Sequence, residues 1–287
     1  MDIGIGLPNA VKGTSGEQIA EFARRAEARG FSTLGTIDRI VYDSYDPFVA
    51  LGTAAAVTER IGLATTVCIA PPHGNDALVA KQALSVQALS EGRFKFGVGL
   101  GARDDDYEAS GVPTSGKGDR FDRLLGTVKR VFDGDGFGFA GAIGPRASDP
   151  PPIIVGGSVE ASFRRAARFG DGWMMGGGAP DQFGQAVEGV RAAWSEAGRD
   201  GDPYLGSLAY FSLGPDAEEN AQENIGDYYA FTGEEVAGMI VGSAATSPEM
   251  VQQYLSAFAE AGCQELVMFP GSPDPEQVDL LADAAGL

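Results

Sequence analysis

The amino-acid sequence predicts an α/β protein of the (β/α)8 TIM-barrel class, a single domain spanning residues 1–287. Three observations carry that expectation. Short β-rich runs alternate with longer segments of helical period, the pattern of parallel strands joined by crossover helices. The strand-like runs number eight, and eight crossovers favour a closed barrel over an open sheet. With 287 residues and 44% hydrophobic content, the chain can bury one sizeable core at a length just above that of an ordinary barrel.

In chain order, strands are expected at residues 3–7, 33–37, 61–67, 94–98, 153–155, 172–175, 204–211 and 265–269. Helical segments fall between them at 16–29, 47–59, 77–90, 119–132, 159–168 and 181–197, with a split helical region at 216–262 and a closing helix at 275–285. In the first helix Ile19, Phe22, Ala23, Ala26 and Ala28 make an apolar face, Glu21, Arg24, Arg25 and Glu27 face outward, and Gly30 ends the helix. Residues 133–152, DGDGFGFAGAIGPRASDPPP, follow neither period and are read as a Gly/Pro-rich excursion between helix four and strand five. That excursion is either a flexible connector or a lid folded over the barrel mouth.

Composition narrows the function. Cys68 and Cys263 lie in apolar strand-like runs, where a free buried thiol is the ordinary occupant, so no disulfide framework is expected. The start MDIGIGLP lacks a basic flank and no run of 18 apolar residues exists, which reads as a soluble cytoplasmic protein without membrane association. A net charge of −19, with 21 scattered Lys and Arg against 40 acids, disfavours nucleic acid, whose phosphates need clustered bases.

A barrel of this class builds its active site at the carboxyl ends of the strands. After strand two stand Asp38 and Arg39, a charged pair on the rim, with Tyr42 and Tyr45 able to wall a planar ligand. After strand three comes His73, the only histidine, which excludes metal sites built on several histidines; no metal is expected. A serine hydrolase would need His73 too, but no GxSxG elbow is present. His73 is therefore either a loop residue or a catalytic acid or base. After strand four, Gly97, Gly99 and Gly101 remove side chains where a large flat ligand would approach the backbone, and Asp104, Asp105 and Asp106 read as a solvated turn or helix start. After strand five, Gly156, Gly157 and Ser158, and after strand six, Gly176, Gly177 and Gly178, present bare amides at helix starts. Together these read as a phosphate cradle that needs no lysine, or else as glycines required only by tight strand-to-helix turns.

The run from Ala77 to Gly101, ALVAKQALSVQALSEGRFKFGVGLG, resembles the most recognisable segment of the bacterial luciferase-like monooxygenase superfamily, in which an Ala-Lys-Gln helix precedes Leu-Ser-x-Gly-Arg and a Gly-Val-Gly-x-Gly strand end. GIGLP, ARGF, TERIGLATTV, PPIIVGG and GDGWMMGG follow the family order, so the likeness covers nearly the whole chain. The resemblance implies FMN, or alternatively the 8-hydroxy-5-deazaflavin coenzyme, across the strand ends. It places Asp38 and Arg39 beside the ring, Thr66 and Val67 at a non-prolyl cis peptide beneath it, and Gly156, Gly157, Ser158, Gly176 and Gly177 on the phosphate side, while Gly99 and Gly101 join the cofactor-binding set from the strand-end reading above. Asp76, Gln87 and Glu91 depart from the family pattern around the third helix, and Arg103 with its acids stands where several deazaflavin enzymes carry a catalytic Glu.

The activity implied is that of a flavin-dependent oxidoreductase. The first expectation is a monooxygenase using reduced FMN and oxygen on a small, mainly apolar substrate, with a separate flavin reductase as a partner the resemblance allows. The alternative is a deazaflavin-dependent dehydrogenase or reductase that transfers a hydride without oxygen, with His73 or Arg39 polarising or protonating the substrate and Asp38 beside them. A non-redox barrel for a phosphate-bearing ligand is the third reading. The family often pairs barrels through helices two and three, so a homodimer is also allowed.

Overall fold

The computed structural model describes residues 1–146 and 149–287. Eight strands, β1 (Asp2–Gly6), β2 (Thr33–Thr36), β3 (Gly62–Ile69), β4 (Phe94–Gly99), β5 (Ile153–Gly156), β6 (Gly172–Met175), β7 (Tyr204–Phe211) and β8 (Glu265–Pro270), pair in sequence order. Each is parallel to the next, and β8 returns to β1 with Asp2 opposite Glu265, closing the barrel. The (β/α)8 class read from the sequence is the observed one.

The helices that follow the early strands are α1 (Gly16–Arg29), α2 (Pro47–Val57), α3 (Asp76–Leu89), α4 (Asp104–Ala109) and α5 (Lys117–Asp133). Then come α6 (Glu160–Phe169), α7 (Pro180–Glu196), α8 (Ala217–Asn220), α9 (Gly226–Tyr229), α10 (Glu234–Gly242), α11 (Pro248–Glu260) and α12 (Glu276–Ala285). Local chemistry sets their ends. Ser15 and Gln18 exchange side chain and backbone in a capping box at the start of α1, and Gly30 closes it at φ 87°. The buried face of α1 is Ile19, Phe22, Ala23 and Ala26, while Ala28 is exposed and drops out of the expected face.

Apolar burial is divided in two. A shell between strands and helices contains Phe22, Leu51, Phe96, Leu125, Trp173 and Phe258, and a separate cluster fills the lumen with Ile154, Met174, Leu208, Tyr210, Val267 and Phe269. Glycines on β1 and β2 make room for the lumen residues: a Cβ on Gly6 would lie 2.2 Å from the Phe269 ring, and one on Gly35 would lie 2.8 Å from Val267. The lumen is packed, as the barrel class requires.

At the foot, where the strands begin, the Glu265 carboxylate is buried and accepts hydrogen bonds from Ser32 Oγ (2.7 Å), Thr33 Oγ1 (2.6 Å) and Tyr204 Oη (2.5 Å), and pairs with Lys95. Burial opposes its charge, but Lys95 and these donors outweigh that and hold its pKa below the ordinary value. Cys68 and Cys263 are buried and free.

The described residues of the excursion, 133–146 and 149–152, are held at the foot and along α3. The excursion leaves the foot end of α5 and enters the foot end of β5, and Gln87 at the foot end of α3 donates to the Asp149 carbonyl while accepting from the Phe94 amide of β4. A helix-to-strand connection in this topology begins and ends at the foot, and between those ends Lys81 in the middle of α3 donates to the Gly144 carbonyl at 2.9 Å, which lays the excursion along the outside of α3. Residues 147 and 148 of that excursion lie outside the described residues. The mouth is covered instead by α8 to α10 and the π-helical stretch Ala221–Ile225, which occupy the long connection from β7 to α11. Among the described residues no helix is long and apolar enough to cross a membrane.

Candidate active site

Asp38, just past β2, is buried, and its Oδ2 accepts the Ile69 amide at 2.8 Å and meets His73 Nε2 at 2.9 Å. His73 sits in the turn Pro71–His73 after β3, edge-on to Phe48, and its Nε2 is 3.7 Å from Cys68 Sγ. Burial works against a charged imidazole here. The hydrogen bond and charge of Asp38, helped by Asp46 and Asp106, outweigh it, so the His73 pKa lies above the ordinary value. Asp38 holds Nε2, and Nδ1 has no hydrogen-bond partner among the described residues. Burial and the Asp38 charge push the Cys68 thiol well up, which keeps it protonated. Ligand atoms of Asp38, Cys68 and His73 all lie within 4.8 Å of one another, a grouping of mixed ligands that a search for paired histidines passes over.

Arg39 does not pair with Asp38. Its Nη2 meets Asp105 Oδ2 at 3.3 Å, its Nη1 donates to the Tyr228 carbonyl at 3.0 Å, and the guanidinium lies over Tyr42, Tyr228 and Phe231. Tyr42 meets Tyr228 edge-on and pairs with Asp227, which also takes Lys12 at 2.7 Å. These ties fasten α9 over the carboxyl ends of β1 and β2. Tyr45 turns away and donates to the Thr14 carbonyl at 2.8 Å. Of the two tyrosines expected to wall a ligand, only Tyr42 joins the cluster.

The Thr66–Val67 peptide is cis, and the pairing of β3 with β4 shifts register between Thr65 and Cys68, as the resemblance implied. The bulged strand explains the glycines opposite. A Cβ on Gly97 would meet the Thr65 carbonyl oxygen at 1.9 Å, one on Gly99 would meet Val67 at 2.7 Å, one on Gly101 would meet Ile69 at 2.4 Å, and one on Gly156 would meet Val67 at 3.0 Å. Gly99 and Gly101 therefore admit the side chains of β3, where the sequence suggested they cleared space for a ligand.

The glycines after β6 behave differently. A Cβ on Gly176 would meet nothing within 4 Å, and Gly177 and Gly178 take φ values of 100° and 135°, which favour glycine. The Gly157 amide is spent on the Met174 carbonyl at 3.3 Å, whereas those of Ser158, Gly176, Gly177 and Gly178 meet no protein acceptor among the described residues. The cradle is thus narrower than the sequence suggested by one amide on the β5 side. Beside it opens a cavity of about 550 Å³, lined by Gly176–Gly178, Leu208, Tyr210, Tyr229, Met239 and Tyr254 among others.

Three comparisons with known proteins bear on this geometry. The profile of the family described as luciferase-like monooxygenase matches residues 1–272. The chain belongs to the luciferase-like monooxygenase family. An uncharacterized protein of Mycobacterium tuberculosis is 37% identical over 210 residues, covering 62% of this chain and 71% of its own. Among solved structures, an F420-dependent secondary alcohol dehydrogenase in complex with an F420-acetone adduct superposes with a TM-score of 0.82 at 19% identity, covering 99% of this chain and 98% of that one. The oxygenating constituent of 3,6-diketocamphane monooxygenase from Pseudomonas putida, in complex with FMN, superposes with a TM-score of 0.75 at 17% identity, covering 98% and 96%. At such identities these two likenesses speak for the fold.

Sequence reasoning did not find Tyr228 and Tyr229 or the role of α9 as a cover, and it met Arg103 only as a departure from the family pattern. One signal was available for the cover: a strand-to-helix connection starts at the mouth, and the one after β7 is long enough to hold extra elements.

Proposed function

We propose that this luciferase-like protein is an oxidoreductase that moves a hydride between a flavin-type cofactor, with the 8-hydroxy-5-deazaflavin form favoured, and a small, mainly apolar alcohol or carbonyl compound. The observation that carries the reading is the Asp38–His73 pair, a buried carboxylate holding an imidazole whose other nitrogen is free, at the mouth that also carries the unspent amides. Alcohol oxidation needs a group to take the hydroxyl proton and carbonyl reduction needs one to return it, and His73 Nδ1 is positioned by Asp38 to do both.

The residues present fit such a cofactor. The open space at Gly176 and the unpartnered amides of Ser158, Gly176, Gly177 and Gly178 would hold a phosphate, and the Thr66–Val67 bulge would lie beneath the ring. When bound, a flavin or deazaflavin ring supplies two-electron hydride chemistry. Asp38 orients His73 and favours its charged form, while the buried Leu208 and Tyr210 on the cavity wall keep water from the substrate's apolar body. The 29% identical ketoreductase for phthiodiolone and phenolphthiodiolone dimycocerosates of Mycobacterium tuberculosis, matched over 55% of this chain and 44% of its own, supports a carbonyl substrate.

The apolar cavity lining favours a second reading, the FMN monooxygenase supplied by a separate reductase. The exposure of Gly176 and Met239 at the cavity edge weighs against it, because oxygen chemistry needs a sealed site. The test is binding of each cofactor by the purified protein, followed by turnover of secondary alcohols with and without air. Equal anaerobic and aerobic rates with the deazaflavin support the first reading; product formation that requires FMN and oxygen rejects it.

A further inference from the structure

Arg103 precedes α4 and is only 9% exposed, yet among the described residues no carboxylate pairs with its guanidinium and its Nε has no hydrogen-bond partner. Three acids follow it directly, and each is committed elsewhere. Asp104 pairs with Lys117 at 2.8 Å, Asp105 with Arg39 at 3.3 Å, and Asp106 Oδ1 accepts the amides of Ile40 and Val41 at 3.0 and 2.8 Å. What holds Arg103 is aromatic: its Cζ lies 4.6 Å from the ring centre of Tyr228, 4.3 Å from that of Phe231 and 6.0 Å from that of Tyr229. Tyr229 also lines the 550 Å³ cavity and shares a 2.8 Å hydrogen bond with Tyr210 on the same wall.

A buried cation without a counter-ion costs stability, so its retention calls for an anion that arrives with a ligand. Three rings lie against the guanidinium and its Nε has no partner among the described residues, and a guanidinium's fork of N–H donors matches a planar carboxylate through two parallel bonds. The amides of Ser158, Gly176, Gly177 and Gly178, after β5 and β6 and without acceptors among the described residues, are those proposed for the cofactor's phosphate, whereas Arg103 follows β4. We propose that Arg103 is the anion-recognition residue of the substrate site and that the substrate is an organic acid, an apolar body bearing a carboxylate. This rests on the reading of the mouth as a redox site and adds the substrate's charge to it.

The test uses the full chain labelled with 15N and follows the arginine Nε–H resonances, with the Arg103→Met variant identifying the Arg103 signal. Benzoate is titrated against benzamide, which has the same shape and no charge. The expected result is a saturable shift of the Arg103 signal with benzoate and at least tenfold weaker binding of benzamide. Arg103→Lys, which keeps the charge and loses the fork, should still bind benzoate but at least threefold more weakly than the unaltered chain. An equal response to both probes, or no response to benzoate, overturns the proposal. A shift produced by reduced FMN but not by benzoate gives the arginine to the cofactor and overturns it as well. Because FMN and deazaflavin binding are read separately by fluorescence, loss of the benzoate response with cofactor binding intact leaves the redox reading standing.

Discussion

Two buried carboxylates lie at opposite ends of the same barrel, and they have been given different surroundings. At the foot, Glu265 is surrounded by donors: Ser32, Thr33, Tyr204 and Lys95 all address its oxygens. At the mouth, Asp38 has a backbone amide and one imidazole, and that imidazole keeps a nitrogen in reserve. A network whose members are all satisfied holds strands in register; one left incomplete can exchange a proton with something that arrives. The difference is between a carboxylate that closes a structure and one that equips a site, in line with the division of labour between the two ends of barrels of this class.

The sharpest way to break that comparison is to neutralise each carboxylate in turn. Asp38→Asn is expected to lower turnover by about 10²–10⁴-fold, the range for a positioned acid–base group, while lowering the thermal midpoint less than loss of Glu265 does. Steady-state rates with either cofactor check the first part and calorimetry the second; unaltered turnover would remove Asp38 and His73 from the chemistry. Glu265→Ala should do the reverse, costing about 3–5 kcal/mol in chemical denaturation by stranding Lys95, with cofactor affinity unaltered once folded. If it lowers cofactor affinity as strongly as stability, the division between the two ends is wrong.

Acid and base sharpen the same contrast. The Glu265 pKa is depressed in the folded state, so its contribution is in place above the ordinary carboxylate value and is lost as pH falls through the folded value. The His73 pKa is raised, so its contribution is complete below the ordinary histidine value and is lost as pH rises through the folded one. Because His73 is the only histidine, its imidazole proton resonances report that titration without overlap, and Asp38→Asn should move the midpoint down. A midpoint that stays in place would separate the pair.

A smaller effect is expected at the cradle. Gly176→Ala adds a methyl where nothing lies within 4 Å, so the fold should tolerate it, and FMN or deazaflavin affinity should fall about tenfold, the loss of roughly one charge-assisted hydrogen bond. Fluorescence titration checks this; undiminished affinity would put the phosphate elsewhere. The smallest effect belongs to Phe139→Ser in the foot excursion, where the side chain is fully exposed. Stability should change by less than about 0.5 kcal/mol and turnover not at all. A clear loss of rate would restore the excursion to a place near the mouth.

Much of the barrel was legible because its signals are local. Period and punctuation located every strand, the glycines after β6 marked unspent amides, and the β3 bulge followed from the family likeness. What failed depends on where chains cross. Gly99 and Gly101 looked like clearance for a ligand, and only the path of β3 shows Val67 and Ile69 filling that space. Glu265 finds its partners Lys95 and Ser32 from distant strands, which no spacing rule brings together. The excursion at 133–152 was left open between a connector and a lid, although topology alone starts and ends a helix-to-strand link at the foot.

The plug made by Phe269 against Gly6 and Gly35 has a kinetic meaning. With the axis blocked, traffic cannot pass through the cylinder, and whatever enters from above must leave at that end. Reactant and product then share one site at the mouth, and product inhibition is expected to be competitive with the organic reactant.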